Sequence, residues 1–168
     1  MQDESLNAFK LGFGMLRLDV DQADHREALR DALLRGIDLF DLGDFATDPA
    51  RFTRKENLLR GLVAEYATAP VRAIVRGNLG AADRFVSPDD PKIEWIYLVA
   101  DPEFALPALE WDHHRLYSLL AHELDTLESL AQNGEIGGYG VGSAGFLAPK
   151  ESPEALALEP LVDARQGE

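Results

Sequence analysis

The chain has no cysteine among its 168 residues. That excludes a disulfide framework, a thiolate nucleophile and any cysteine-ligated metal. Positive charge is scarce too: 16 Lys and Arg stand against 30 Asp and Glu, a formal net charge of -14. Such a balance repels phosphate backbones and anionic lipid surfaces within a Debye length, so neither nucleic acid nor a membrane is expected as partner. Long apolar runs are missing, which leaves no candidate membrane span. The first ten residues, MQDESLNAFK, are acidic and polar where a secretory leader is basic and then apolar, so the expected location is cytoplasmic. What remains is 46% hydrophobic and 27% charged, the make-up of one globular domain over residues 1–168 with a sizeable core. No internal repeat, low-complexity tract or linker divides it.

Along the chain, short apolar runs alternate with helical spacing. Leu11 to Leu18 (LGFGMLRL) is too short for a helix and reads as a strand. In the stretch Asp21 to Arg35, Ala28, Leu29, Ala32 and Leu33 share one helical face, and Gly36 stands where a C-cap glycine belongs. Ile37 to Gly43 reads as a second strand, and Lys55 to Tyr66 as a helix through Leu58, Leu59, Leu62 and Val63. Pro70 stops that helix. Val71 to Asn78 is a third strand by its β-branched content, followed by a long connection from Gly80 to Pro91. Ile93 to Ala100 (IEWIYLVA), nearly continuous apolar, predicts a strand buried on both faces. A helix from His114 to Ala131, a fifth strand from Ile136 to Val141, and a last helix from Ser152 toward Leu161 complete the pattern. Alternation of this kind predicts an α/β fold with a parallel sheet, either an open doubly wound sheet or a closed barrel.

Four segments decide between these. GIDLFDLGDFA (Gly36 to Ala46) resembles the second-strand signature of the aldo-keto reductases, LGFGMLRL their first strand, and IEWIYLVADP their fourth. LDTLESLAQNGEIGGYGVGSAGF (Leu124 to Phe146) is similar to the family's fourth helix and the strand that meets the nicotinamide. The resemblance implies a partial TIM-type (β/α) barrel of about five parallel strand–helix units, since a complete barrel takes ~250 residues.

The family's chemistry uses an Asp, a Tyr, a Lys and a His, the Tyr giving its proton to the carbonyl oxygen as hydride arrives from NADPH. A phenol with a pKa near 10 needs the other groups to do so. On the resemblance Asp41 is retained as the catalytic aspartate, whereas the Tyr, Lys and His positions fall on Ala46, Asn78 and Val99, a shifted alignment offering Arg76 in place of Asn78. Ser143 is the counterpart of the residue that holds the cofactor's carboxamide. The implied protein is a catalytically silent member acting in binding or assembly, without cofactor. The alternative is an NADP-dependent oxidoreductase whose missing parts come from a second chain or a further C-terminal part.

Plainer readings stand beside these. Asp41, next to Asp44, also reads as a solvated charge or a cap. Gly12-x-Gly14 lacks the third glycine of a dinucleotide fingerprint. His114, His122 and Asp125 share a helical face but match no metal-ligand pattern, so a solvated surface is expected and no metal. Trp95 and Trp111 read as core or interface filling. A five-strand parallel sheet also leaves unpaired edges, which a second copy, another polypeptide, or the segments 80–91 and 102–112 are expected to cover.

Overall fold

The computed structural model describes residues 11–86 and 90–160. Its five strands form one all-parallel sheet in the order β1-β2-β3-β4-β5: β1 (Phe13–Gly14), β2 (Leu39–Asp44), β3 (Val71–Gly77), β4 (Ile93–Ala100) and β5 (Gly138–Gly142). Between them run α1 (Ala23–Leu34), α2 (Pro49–Tyr66) and α3 (His113–Gln132), with 3-10 helices at Ala82–Arg84, Pro102–Leu109 and Ala144–Leu147. The α/β class and the parallel sheet are as the sequence predicts. Among the described residues no helix is long and apolar enough to cross a membrane.

Helix ends follow local chemistry. Gly36 takes φ +80 after α1, and the amides of Gly36 and Ile37 turn back to the carbonyls of Leu33 and Ala32. The second helix starts six residues before the Lys55 start that periodicity predicts. Asp48 caps it by accepting from the Arg51 amide at 3.0 Å, and Pro49 occupies the first turn, where its missing N–H costs nothing. Asp112 caps α3 the same way. Two further expectations fail. The first strand shrinks to two residues because the chain leaves the sheet at Met15, whose amide is the last to bond to β2. Ser152 makes only a turn, its hydroxyl accepting from Glu154, and helical backbone begins at Glu159; Leu161 lies outside the described residues.

Sequential strand order with right-handed crossovers places all three α-helices on one face of the sheet. The core lies there: Phe40 and Leu42, then Val71, Ala73 and Val75, then Trp95, Tyr97 and Val99 pack against Leu29, Leu59, Val63, Leu120 and Leu127. On the other face Leu39, Asp41, Ile74, Ile96 and Leu98 are half-buried and Arg76 and Glu94 exposed. The two-sided burial expected of β4 is therefore corrected: it alternates buried and half-buried positions, with its apolar residues present on both sides but covered on one. The 3-10 helices at 82–84 and 102–109 pack on α3.

Among the described residues one core side chain is unsatisfied. The Tyr97 ring lies against Phe45 and Phe85, fully buried, and its hydroxyl has no hydrogen-bond partner. Burial raises its pKa. In Tyr97→Phe an unpaired buried hydroxyl is removed, so stability is expected to stay equal or rise by about 1 kcal/mol in urea unfolding at pH 7. Above pH ~10 the unfolded tyrosine ionises while the folded one keeps its proton, so wild-type stability falls with pH. The variant should lack that component of the fall; a less stable variant would contradict the assignment.

Candidate functional site: a cleft at the carboxyl ends of the strands

The site is built around an irregularity in β2. Pairing with β3 shifts between Asp41 and Gly43, which takes φ +85, leaving Leu42 as the extra residue. The Gly43 amide donates to Asp41 Oδ1 at 3.0 Å, so the bulge itself orients the carboxylate away from the helices. From β3 Arg76 reaches back to it: Nε lies 3.3 Å from Oδ1, and a terminal guanidinium nitrogen holds Oδ2. The fork is geometrically good but half exposed, so it is worth about 1 kcal/mol or less.

These two line a cleft of about 440 Å³ with Asp44, Thr47, Asn78, Ala100 and Asp101. Its rim is apolar: Leu16 is 66% exposed and Phe104 77%. Asp101 leaves β4 with φ 45, a left-handed conformation unusual for a residue other than glycine, while its amide donates to Gly142 on β5 at 2.7 Å.

Buried charged side chains fix the surrounding loops. Glu123, on the core side of α3, accepts from the amides of Gly80, Ala81 and Ala82 at 2.7 to 3.0 Å. Glu103 accepts from the Ser143 hydroxyl at 2.5 Å and the Gly145 amide at 3.0 Å. Lys55 donates to the carbonyls of Leu16 and Leu42, under the cleft wall and at the bulge. Burial lowers its pKa, and the neighbouring Arg51 adds to that effect.

Of the residues singled out in the sequence, Asp41 and Asn78 line the cleft together. Arg76, the shifted alternative to Asn78, is the one that pairs with Asp41. Val99 is fully buried on the helix side, and the β4 residue that reaches the cleft is Ala100. Ala46 is not part of the lining; its amide donates to Asp44 in the turn after β2. Ser143 is placed at the end of β5, outside the lining of this cleft, with its proton committed to Glu103 and its oxygen accepting from Gly145. His114, His122 and Asp125 are exposed on α3, and no cluster among the described residues could hold a metal ion. Trp95 fills the core, whereas Trp111 is 45% exposed.

Glu123 and Lys55 were not picked out, yet each left a signal. Each is a charge on the buried stripe of its helix, Lys55 between Phe52 and Leu59, Glu123 between Leu120 and Leu127. No family model, curated protein or solved structure matches the chain.

The cleft can accept and donate hydrogen bonds through Asp41, Arg76, Asn78 and Asp101. Among the described residues its lining includes no phenol, imidazole or amine, the groups that exchange a proton with a reacting carbonyl at neutral pH.

Proposed function

We propose that this chain is a catalytically silent, aldo-keto-reductase-like module. In this reading it forms the first five strand–helix units of a (β/α) barrel, works in binding or assembly in the cytoplasm, and is completed by a second copy or another polypeptide. One observation carries it: the Asp41 carboxylate, three residues before the end of β2, lines a cleft that opens at the carboxyl ends of the strands, where such barrels keep their chemistry, but it is tied to Arg76, and among the described residues that line the cleft none is a proton donor of the kind carbonyl reduction needs. Ser143, spent on Glu103, supports the same conclusion for the cofactor. Asp41 is then a wall of a binding cleft and a brace for the bulge.

Titration of the protein into NADPH, followed by nucleotide fluorescence, tests this. No change is expected up to high protein concentration, and no NADPH oxidation on adding aldehydes or ketones. Saturable nucleotide binding with carbonyl-dependent oxidation would overturn the silent reading in favour of a working reductase.

A further inference from the structure

From the uncovered face of the sheet we infer that two copies of this chain pack together, the open face of each covering that of the other. This deepens the assembly part of the reading above and is independent of whether the cleft turns over a carbonyl.

Parallel sheets are buried on both faces as a rule, and here α1, α2 and α3 all lie on one. The open face has a relief that its register spells out. One row across the sheet runs Gly14, Asp41, Ile74, Ile96, Gly138, so side chains stand in the middle and both edges are bare. In the next row Arg76 and Leu98 lead to Gly140, and above it Ala100 neighbours Gly142.

The chain's own packing does not require glycine at these edges. A β-carbon at Gly14, Gly138 or Gly142 would meet nothing within 4 Å, and one at Gly140 only the Leu98 side chain at 3.4 Å. None of the four has positive φ. Glycine weakens a strand, so three in five residues of β5 are a loss with no return among the described residues of the chain. The return comes where another backbone or a bulky side chain approaches closely. A face carrying both a central ridge and bare flanks is complementary to itself, which is the requirement of an isologous pair.

Charge points to the same partner. On a chain of net charge -14, this face mixes charges of both signs. Arg72 is paired with Asp38 and Arg76 with Asp41, while Glu94 and Asp44, the latter in register with Arg76 and accepting from the Thr47 hydroxyl, add two further carboxylates. An identical face offset across a two-fold can set Arg76, whose side chain is 46% exposed, against a carboxylate of the other copy.

Light scattering after gel filtration over a range of concentrations tests the inference. The expected mass is twice the 18.5 kDa of the chain. Gly138→Val and Gly142→Val add side chains into space that is empty in the single chain, so both should stay folded by circular dichroism, melt no lower than wild type under dilute conditions, and associate at least about tenfold more weakly. Ile96→Lys should likewise give a monomer, and Leu147→Ser, away from the face, should leave the dimer intact. A monomeric wild type at all concentrations overturns the proposal, as does a dimer that all three face variants leave unchanged. Loss of the dimer in Leu147→Ser alone would place the interface elsewhere and overturn it too.

Discussion

Replacing Glu123 by alanine is expected to destabilise the protein by about 3 to 5 kcal/mol, lowering the melting temperature by roughly 10 °C for a chain of this size. The magnitude follows from what the carboxylate does. Glu123 is 5% exposed and takes three amide N–H groups in a row, those of Gly80, Ala81 and Ala82. Gly80 can turn to water when the carboxylate is removed, because it is exposed. Ala81 and Ala82 are both 0% exposed; the Ala81 amide keeps the Asn78 carbonyl at 3.1 Å, whereas the Ala82 amide would be stranded. Charge-assisted bonds are about twice as strong as neutral ones, and loss of the acceptor leaves the desolvation penalty of the donors uncompensated. Glu123→Gln keeps one acceptor oxygen at the site and should lose less than alanine does. Asp125→Ala, on the exposed side of the same helix, should change stability by no more than about 0.5 kcal/mol. Urea unfolding gives the stabilities, and amide exchange at Ala81 and Ala82 should accelerate before the rest of the sheet. An alanine variant within 1 kcal/mol of wild type would mean that water or loop rearrangement replaces the carboxylate.

Why this glutamate escapes notice in the sequence while other features do not is a matter of range. The fourth strand is legible to the residue, Ile93 to Ala100, because a continuous apolar run ends abruptly at Asp101 and Pro102. Its one-sided cover is not legible, since Ile96 and Leu98 are as apolar as the residues facing the helices and only the topology decides which side receives them. The start of α2 is missed because apolar spacing becomes regular only from Lys55, whereas the start signal is Asp48 followed by Pro49 in the first turn. Asp41 is legible as a candidate from its local segment. Its partner is not, because one extra residue at Leu42 changes which β3 side chain comes alongside, and spacing alone leaves Asn78 and Arg76 both open. Glu123 and the loop it holds are more than 40 positions apart in sequence, yet a carboxylate at that place on an apolar stripe already implies buried donors somewhere.

The same long-range logic makes Gly77 the least replaceable glycine of the sheet. A β-carbon there would lie 2.0 Å from Tyr97 Oη, 2.7 Å from Tyr97 Cζ and 2.8 Å from Phe45 Cε1. Tyr97 cannot yield easily, since its ring is boxed in by Phe45 and Phe85 and is fully buried. Gly77 cannot move either, because it is the last residue of β3 and is in register with Val99. Gly77→Ala is therefore expected to cost about 3 kcal/mol, the upper part of the range for forcing one carbon into a packed core. Tyr97→Phe removes the 2.0 Å clash but leaves the 2.7 Å one, so it should relieve the alanine variant only in part. Tyr97→Leu is costly by itself, by about 2 kcal/mol or more, yet combined with Gly77→Ala the losses should fall short of their sum by about 1 to 3 kcal/mol, as they do when two sites share one volume. Strict additivity in that double-mutant cycle would show that the ring is not what excludes a side chain at position 77. The effect should also reach the cleft. Asn78 follows Gly77 directly and lines it beside Arg76, so a displaced strand end in Gly77→Ala would shift the amide resonances of Asn78 and Arg76 more than those of β1.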